Sequence, residues 1–358
     1  MHFRQNRNRN SDSFASGRVV FFSPSGLPLT QTGFILNAMK TGLLIIGLIV
    51  SFALPVEAWN ATGHMTVAFI AYQRLTPGAR ARVDKLLKLN PEYPHWIAGA
   101  AAGQEGLAAF MNASVWPDCI KGSQCPGYTA DGANGGNDPP KDPTATLNIG
   151  YADRLMHKYW HFIDHPYSPF GLPSEPAPPV NAVTEIRIMR AAIGSTAGDD
   201  VKSYDIAWLS HLIGDLHQPL HAIARFTTRH PSGDAGGNLV RFCAAPCEFP
   251  DNLHAYWDGL IGGDPPELGT VKSIATGLMA QPKPRDSSKT GVMEWSRDSA
   301  ALAVKYSYAP PIDGDNNPQV TFSPRPSAAY DKNARDLARR QVLLAGYRLA
   351  NLLNKNLK

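Results

Sequence analysis

Two His–x3–Asp pairs, His211/Asp215 and His254/Asp258, fall within residues 211–258, with His217-Gln-Pro-Leu-His221 between them. Residues four apart share one face of an α-helix, so each pair must project its imidazole and carboxylate to the same side. Pro219 ends or kinks the first helix and re-aims the chain toward His221. Any fold this chain adopts has to be helical here, break at Pro219, and give several close imidazoles and carboxylates something to bind. A lone His–x3–Asp is ordinarily a surface ion pair or a satisfied core pair. Two of them flanking a second histidine pair point to a metal. Imidazole nitrogens with carboxylate oxygens form the donor set that zinc takes where a water must stay bound, whereas structural zinc sites usually use thiolates. Earlier in the chain, His161 and Asp164, Asp118 and His64 extend the set. His217 is expected to pack and hydrogen-bond in the core. His95, His157, His165 and His230 have no patterned partner and read as ordinary loop histidines.

Helical spacing recurs along most of the chain from residue 59 onward. Two helices are expected within 62–89, divided at Thr76-Pro77, where Thr suits a cap and Pro a first turn. Further helices are expected at 182–195, 203–218, 268–280, 292–306 and 331–354. Residues 121–150, 166–179 and 227–251 are rich in Gly, Pro, Asn and Asp and read as long loops. Strand-like alternation is scarce, and no internal repeat or charged linker divides the chain. The expected class is all-α: one mainly helical domain with long loops.

The first 58 residues read differently. Met39-Lys40 precedes an apolar run from Leu43 to Leu54, then Pro55 and Val56-Glu57-Ala58. A positive start, a short apolar stretch and small residues before a cut describe a secretory signal. The run falls short of the roughly 20 apolar residues that span a bilayer. The expected boundary is therefore a leader and signal at 1–58, cleaved between Ala58 and Trp59, and a secreted or periplasmic mature chain at 59–358. Either Met39 is the true start or 1–38 is a long basic leader. The bland alternatives for the apolar run are a membrane anchor or a buried helix. The leader holds Arg4, Arg7, Arg9, Arg18 and Lys40 against Asp12 and Glu57, so its removal takes the formal charge from +4 to +1. A mature chain so near neutrality excludes broad electrostatic binding of long duplexes.

Four cysteines, Cys119, Cys125, Cys243 and Cys247, suit two disulfides in an exported chain, with three connectivities open. The local pairs Cys119–Cys125 and Cys243–Cys247 are favoured. A thiolate zinc site is the competing reading, weakened by spacings that fit no Cys-x-x-Cys ribbon.

Six motifs occur in a fixed order: Trp59-Asn-Ala-Thr-Gly-His64, Trp116-Pro-Asp118, His161-Phe-Ile-Asp164, His211 through His221, Gly236-Gly-Asn238, and Asn252-Leu-His-Ala-Tyr-Trp-Asp258. Together they resemble the S-one/P-one family of zinc-dependent single-strand nucleases, in the phospholipase C/P-one nuclease superfamily. The resemblance runs over essentially all of 59–358, including the helical end with Leu349-Ala-Asn-Leu-Leu-Asn354. It implies a monomeric enzyme with three zinc ions at the bottom of a cleft. Asp118, His161, His211 and Asp215 would hold the first ion, and His221, His254 and Asp258 the second. The third would take His64, a shared oxygen of Asp215, and the α-amine and carbonyl that cleavage frees at Trp59. A water would attack phosphorus in line and leave a 5′-phosphate product, with Asp118 orienting it and Lys121 steadying the phosphoryl charge. Phe162 and Asp164 would grip an unstacked base, which favours single-stranded DNA, RNA and nucleotides over duplexes.

Two departures bear on base preference: a long stretch at 121–156, expected over the cleft, and Gly259 where some relatives carry Asn. The nearest rival is a zinc-dependent phospholipase C. Against it, His64 follows Trp59 by only five residues, and Asp258 stands where that family is expected to have Glu. A non-catalytic periplasmic zinc-binding protein is the rival from another class. No stable membrane association is expected.

Overall fold

The computed structural model describes residues 59–122, 125–243, 251–319 and 324–357. Among them are eleven α-helices: α1 (Ala61–Gln73), α2 (Pro77–Leu87), α3 (Tyr93–Trp96), α4 (Glu105–Ala113), α5 (Trp116–Cys119), α6 (Ala182–Ile193), α7 (Asp199–Asp215), α8 (Leu253–Asp258), α9 (Leu268–Met279), α10 (Val292–Leu302) and α11 (Ala328–Asn356). The expected all-α domain is what forms. Thr76 caps α2 through its side chain with Pro77 in the first turn, as the sequence predicts. A single π turn at Ala303–Ser307 continues α10, so the predicted 292–306 helix is two segments. The short α4 was not anticipated; its N-cap Gln104 makes no side-chain cap and gives no start signal. No described helix is long and apolar enough to cross a membrane.

Two helices lie at the centre. In α1 every residue from Thr66 to Tyr72 is buried, and in α7 every residue from Ser203 to Asp215. A helix buried on all sides belongs inside a bundle. Helix α1 packs against α4, α9 and α11, while α7 packs against α2 and α6. Trp160 and Trp208, with ring centroids 4.9 Å apart, anchor an aromatic cluster beside α7 that includes Trp116 and Tyr204. His64 near the start of α1 and His211 and Asp215 near the end of α7 meet, with His64 Nε2 3.2 Å from Asp215 Oδ1, so the two helices deliver these side chains to the same end of the domain.

Two short ribbons complete the fold. Strand β1 (His165–Tyr167) pairs in parallel with β2 (Ile223–Arg225), with His165 opposite Ile223. Strand β3 (Arg241–Phe242) pairs antiparallel with β4 (Asp251–Asn252). The first ribbon fixes the two His-bearing turns before β1 and β2 side by side.

The 121–156 stretch differs from the expected surface loop. Residues Asp131, Ala145 and Asp153 within it are buried, and 3₁₀ turns form at Asn134–Gly136, Pro143–Thr146 and Gly150–Ala152. It is fastened along α7 by Tyr151 Oη to Ser203 Oγ (2.9 Å) and by Tyr204 Oη to Asp153 Oδ2 (3.1 Å).

Candidate metal centre

The sequence brings polar side chains to one end of the bundle, and the local structure aims them. Asn60 caps α1 by accepting from Gly63 N at 3.1 Å, while its own backbone N–H donates to Asp258 O at 3.2 Å. Trp59, fully buried, donates its indole N–H to Gly214 O at 3.1 Å. It thereby stands between α1, α7 and α8. His64 lies one turn into α1, its ring stacked on that of His211 with centroids 3.9 Å apart. Any side chain at position 214 would intrude, since a Cβ there would lie 2.9 Å from His64 Nδ1.

The remaining predicted donors converge on the same place. His211 Nε2 lies 3.2 Å from Asp215 Oδ2 and 3.4 Å from Asp118 Oδ1. His161 Nδ1 lies 3.0 Å from Asp215 Oδ2 and 2.9 Å from His211 Nε2. His64 Nε2 lies 3.2 Å from Asp215 Oδ1, so Asp215 faces both groups. Alongside, His254 Nε2 is 2.9 Å from His221 Nε2 and 3.6 Å from Asp258 Oδ2. Three sets have donor atoms within 4.8 Å of one another: His64/Asp118/His211, His161/His211/Asp215 and His221/His254/Asp258. Lys121 Nζ sits 2.5 Å from Asp118 Oδ1, in a buried pair.

Whether this arrangement fits a cation is decided by the second nitrogen of each ring. His211 Nδ1 donates to Ser114 O (2.7 Å), His221 Nδ1 to His161 O (2.8 Å) and His254 Nδ1 to Gly236 O (2.8 Å). In a neutral ring such a carbonyl partner keeps the proton on Nδ1 and leaves Nε2 as a bare lone pair. In neutral rings the Nε2 atoms of His221 and His254 then present two lone pairs to each other at 2.9 Å, with no proton between them. A cation relieves that repulsion. Further, both nitrogens of His64 and Oδ1 of Asp215 are buried and make no hydrogen bond. The donor set fits zinc.

The electrostatics agree for His64, His161, His221 and His254. Burial, with the positive charge of Lys121 and His211 nearby, lowers His161 to about 3. Burial, with His221 beside it, lowers His254 to about 3. Burial likewise lowers His64 and His221. These rings are held neutral, the form that ligates metal. Burial opposes a charge on His211 too, but Asp215 and Asp118 outweigh it and push the ring up to about 10. Burial raises Asp118, yet Lys121 and His211 overcome it and hold the carboxyl well below its usual range. Asp258, buried among the other carboxylates, is driven well above its usual range.

Some contributors were invisible in the sequence. Ser114, His161 and Gly236 act through backbone carbonyls, to which residue identity gives no clue. Gly236 adopts φ +60°, and a Cβ there would lie 2.4 Å from Leu220 O, which explains the first glycine of the Gly-Gly-Asn motif. Gln218 Nε2 donates to Asp258 Oδ1 at 2.7 Å. Its place inside His-Gln-Pro-Leu-His was the available signal. His217 packs in the core as expected, donating from Nδ1 to Ile213 O (2.7 Å) and accepting from Arg348 Nη1 (2.8 Å). His157 is not an ordinary loop histidine: it is fully buried between two carboxylates. Nor are His165 and His230 free, since they contact Ser296 and Asp315. Phe162 packs half-buried against the core, and Asp164 is raised to about 7 by burial and by Asp234 and Asp138. Cys119 and Cys125 form a disulfide directly after Asp118. Cys243 is disulfide-bonded, and Cys247 lies outside the described residues, as does the leader.

A search of curated proteins found no match to the chain. A family model described as S1/P1 Nuclease matches residues 59–358. That span covers every described residue and all the converging donors, and the chain belongs to the S1/P1 nuclease family.

Proposed function

We propose that the chain from Trp59 onward is a secreted or periplasmic monomer that hydrolyses phosphodiester bonds in single-stranded DNA and RNA. It releases 5′-phosphate products and acts on 3′-nucleotides as well, using three zinc ions. The observation that carries this reading is the set of buried, unpaired histidine and aspartate donor atoms meeting at the end of α1 and α7.

Asp118, His161, His211 and Asp215 would hold one zinc, and His221, His254 and Asp258 another. His64, Asp215 and the amine and carbonyl of Trp59 would hold the third. A free amine at Trp59 needs cleavage after Ala58, and its unperturbed pKa of about 7.7–8.0 allows deprotonation near neutrality. Zinc held by these residues would lower the pKa of a bound water to about 7 and would neutralise charge on the phosphoryl group. Asp118 orients the attacking water. Lys121, beside Asp118, steadies the negative charge that grows on the phosphoryl oxygens. Phe162 stacks on an unpaired base while Asp164 hydrogen-bonds its edge. With a pKa near 7, Asp164 switches between donor and acceptor across neutral pH.

Parallel assays on single-stranded DNA, RNA, a 3′-nucleotide and phosphatidylcholine, with and without chelator, test the reading. Chelator-sensitive cleavage of the first three and none of the lipid is expected. Hydrolysis of phosphatidylcholine alone would favour a phospholipase C. Bound zinc with no hydrolysis at all would favour a binding protein.

A further inference from the structure

The N-terminal end of α7 and the C-terminal end of α11 frame a basic groove. One cavity of about 270 Å³ is lined by Arg190, Lys289, Arg348 and Lys355 among others. A second, of about 370 Å³, is lined by Arg82, Lys202 and Lys355, and the two share Lys355 and Asn356. No carboxylate lines either cavity. Lys202 stands 13 residues before Asp215 on α7, about 20 Å along the helix axis. Of these six cations, Arg82 is paired with Asp199 (2.5 Å) and Lys289 with neighbouring acids, while Arg190, Arg348, Lys202 and Lys355 make no ion pair with a described residue.

Arg348 makes this more than a solvated charge patch. It is 2% exposed, and its guanidinium lies 5.0 Å from the Trp295 ring. Nη1 bonds His217 Nε2 and Nε donates to Asp286 O, but Nη2 is buried without a partner. Burial lowers the group to about 10, which leaves it charged at neutral pH. The nearby acids Asp286, Glu294 and Asp298 are engaged by Lys289 Nζ at 3.5, 2.9 and 3.9 Å. A buried cation with an idle donor, at a cavity free of carboxylates, is a site for an anion. Arginine and lysine together on a compact cavity suit the phosphate group, and the second cavity offers room for a neighbouring one.

We propose that this groove is a second phosphate-binding site, outside the metal centre and centred on Arg348, Arg190 and Lys355. It takes either free phosphate or the backbone phosphates of a single strand. The inference does not depend on the zinc reading.

Calorimetric titration of the zinc-loaded mature protein tests it, with inorganic phosphate and separately with a cleavage-resistant phosphorothioate oligothymidylate. Phosphate bound at the metal centre persists in every variant, so the readout is the loss of a second binding step. Arg190→Gln/Lys355→Gln should weaken that step at least roughly tenfold, since each charged hydrogen bond removed is worth about that factor. Zinc content and Tm should stay as in the wild type. Arg348→Gln should weaken the same step, and the double variant guards against misfolding at that buried position. If oligonucleotide binding falls too, with a shallower salt dependence, the site holds strand phosphates; if only phosphate binding falls, it holds the free anion. Either result upholds the site. Unchanged binding of both probes by the double variant would overturn it.

Discussion

Two buried His/Asp clusters flank α7, and their contrast separates a structural histidine from one that could hold a metal. At the C-terminal end stand His64, His161, His211, His221 and His254 with Asp118, Asp215 and Asp258. Along the N-terminal half, His157 sits between Asp131 (Nδ1 to Oδ2, 3.1 Å) and Asp153 (Nε2 to Oδ2, 2.7 Å). Apart from the half-buried Asp118, both are buried, and both mix imidazole with carboxylate. They differ in what each lone pair meets. Around His157 both ring nitrogens face oxygen, Tyr159 Oη donates to Asp131 and Tyr204 Oη donates to Asp153. The His157 ring also lies flat on Trp160, centroids 3.6 Å apart. Nothing is left to bind. In the other cluster, nitrogen faces nitrogen and carboxylate oxygens go unpaired. Composition and burial are alike; satisfaction of the lone pairs is the discriminating property.

The largest test of that contrast is truncation on each side. His211→Ala should lower bound zinc and cut phosphodiester hydrolysis at least about a thousandfold, because the metal supplies several kcal/mol of charge stabilisation. Zinc analysis beside the rate decides: a lost rate with normal zinc would mean His211 is not a ligand. Next comes the chain start. Protein carrying one extra residue before Trp59 should lose the third zinc and most activity, and full activity with an uncleaved leader would refute the role given to Trp59.

His157→Ala should do the reverse. Breaking a buried ion pair and stranding Asp131 and Asp153 costs about 3 kcal/mol or more of stability. Zinc content and rate per folded molecule should be unchanged. Loss of zinc in this variant would erase the distinction between the clusters. A smaller effect is expected at Gln218, which supports Asp258. Gln218→Ala should weaken zinc binding or activity by about 10–100-fold, the usual cost of losing such a partner.

Legibility in the sequence divides along the same line. The candidate donors were readable because they are side chains paired at helical spacing: His211 with Asp215, His254 with Asp258. The long helices were readable because apolar spacing repeats over several turns, and Thr76-Pro77 marks a break. What escaped lies in relations that residue identity does not encode. The carbonyls of Ser114 and Gly236 orient histidines through backbone atoms, and α4 begins without a capping side chain. His157 passed for a loop residue because its partners are distant in sequence and because the loop around it folds onto α7. Its own backbone is left-handed, φ 44°, a conformation held by the surrounding contacts rather than by local preference.

The finest distinction between the clusters is their response to pH. Burial opposes a charge on His157, but Asp131 and Asp153 outweigh it and raise the ring above its usual value. A raised histidine adds stability that is fully present below its unfolded pKa, about 6.5, and is lost as pH rises through the folded value. Burial raises Asp131, but His157 and Tyr159 overcome it and hold the carboxyl below its usual value. A depressed aspartate adds stability that is fully present above its unfolded pKa, about 3.9, and is lost as pH falls through the folded value. The network therefore stabilises most between about pH 4 and pH 6.5. The Tm gap between wild type and His157→Ala should be widest in that window and narrow on both sides of it. A gap independent of pH would mean that His157 is held by its stacking on Trp160 and not by its charge, and the two clusters would then differ in kind and not merely in the completeness of their pairing.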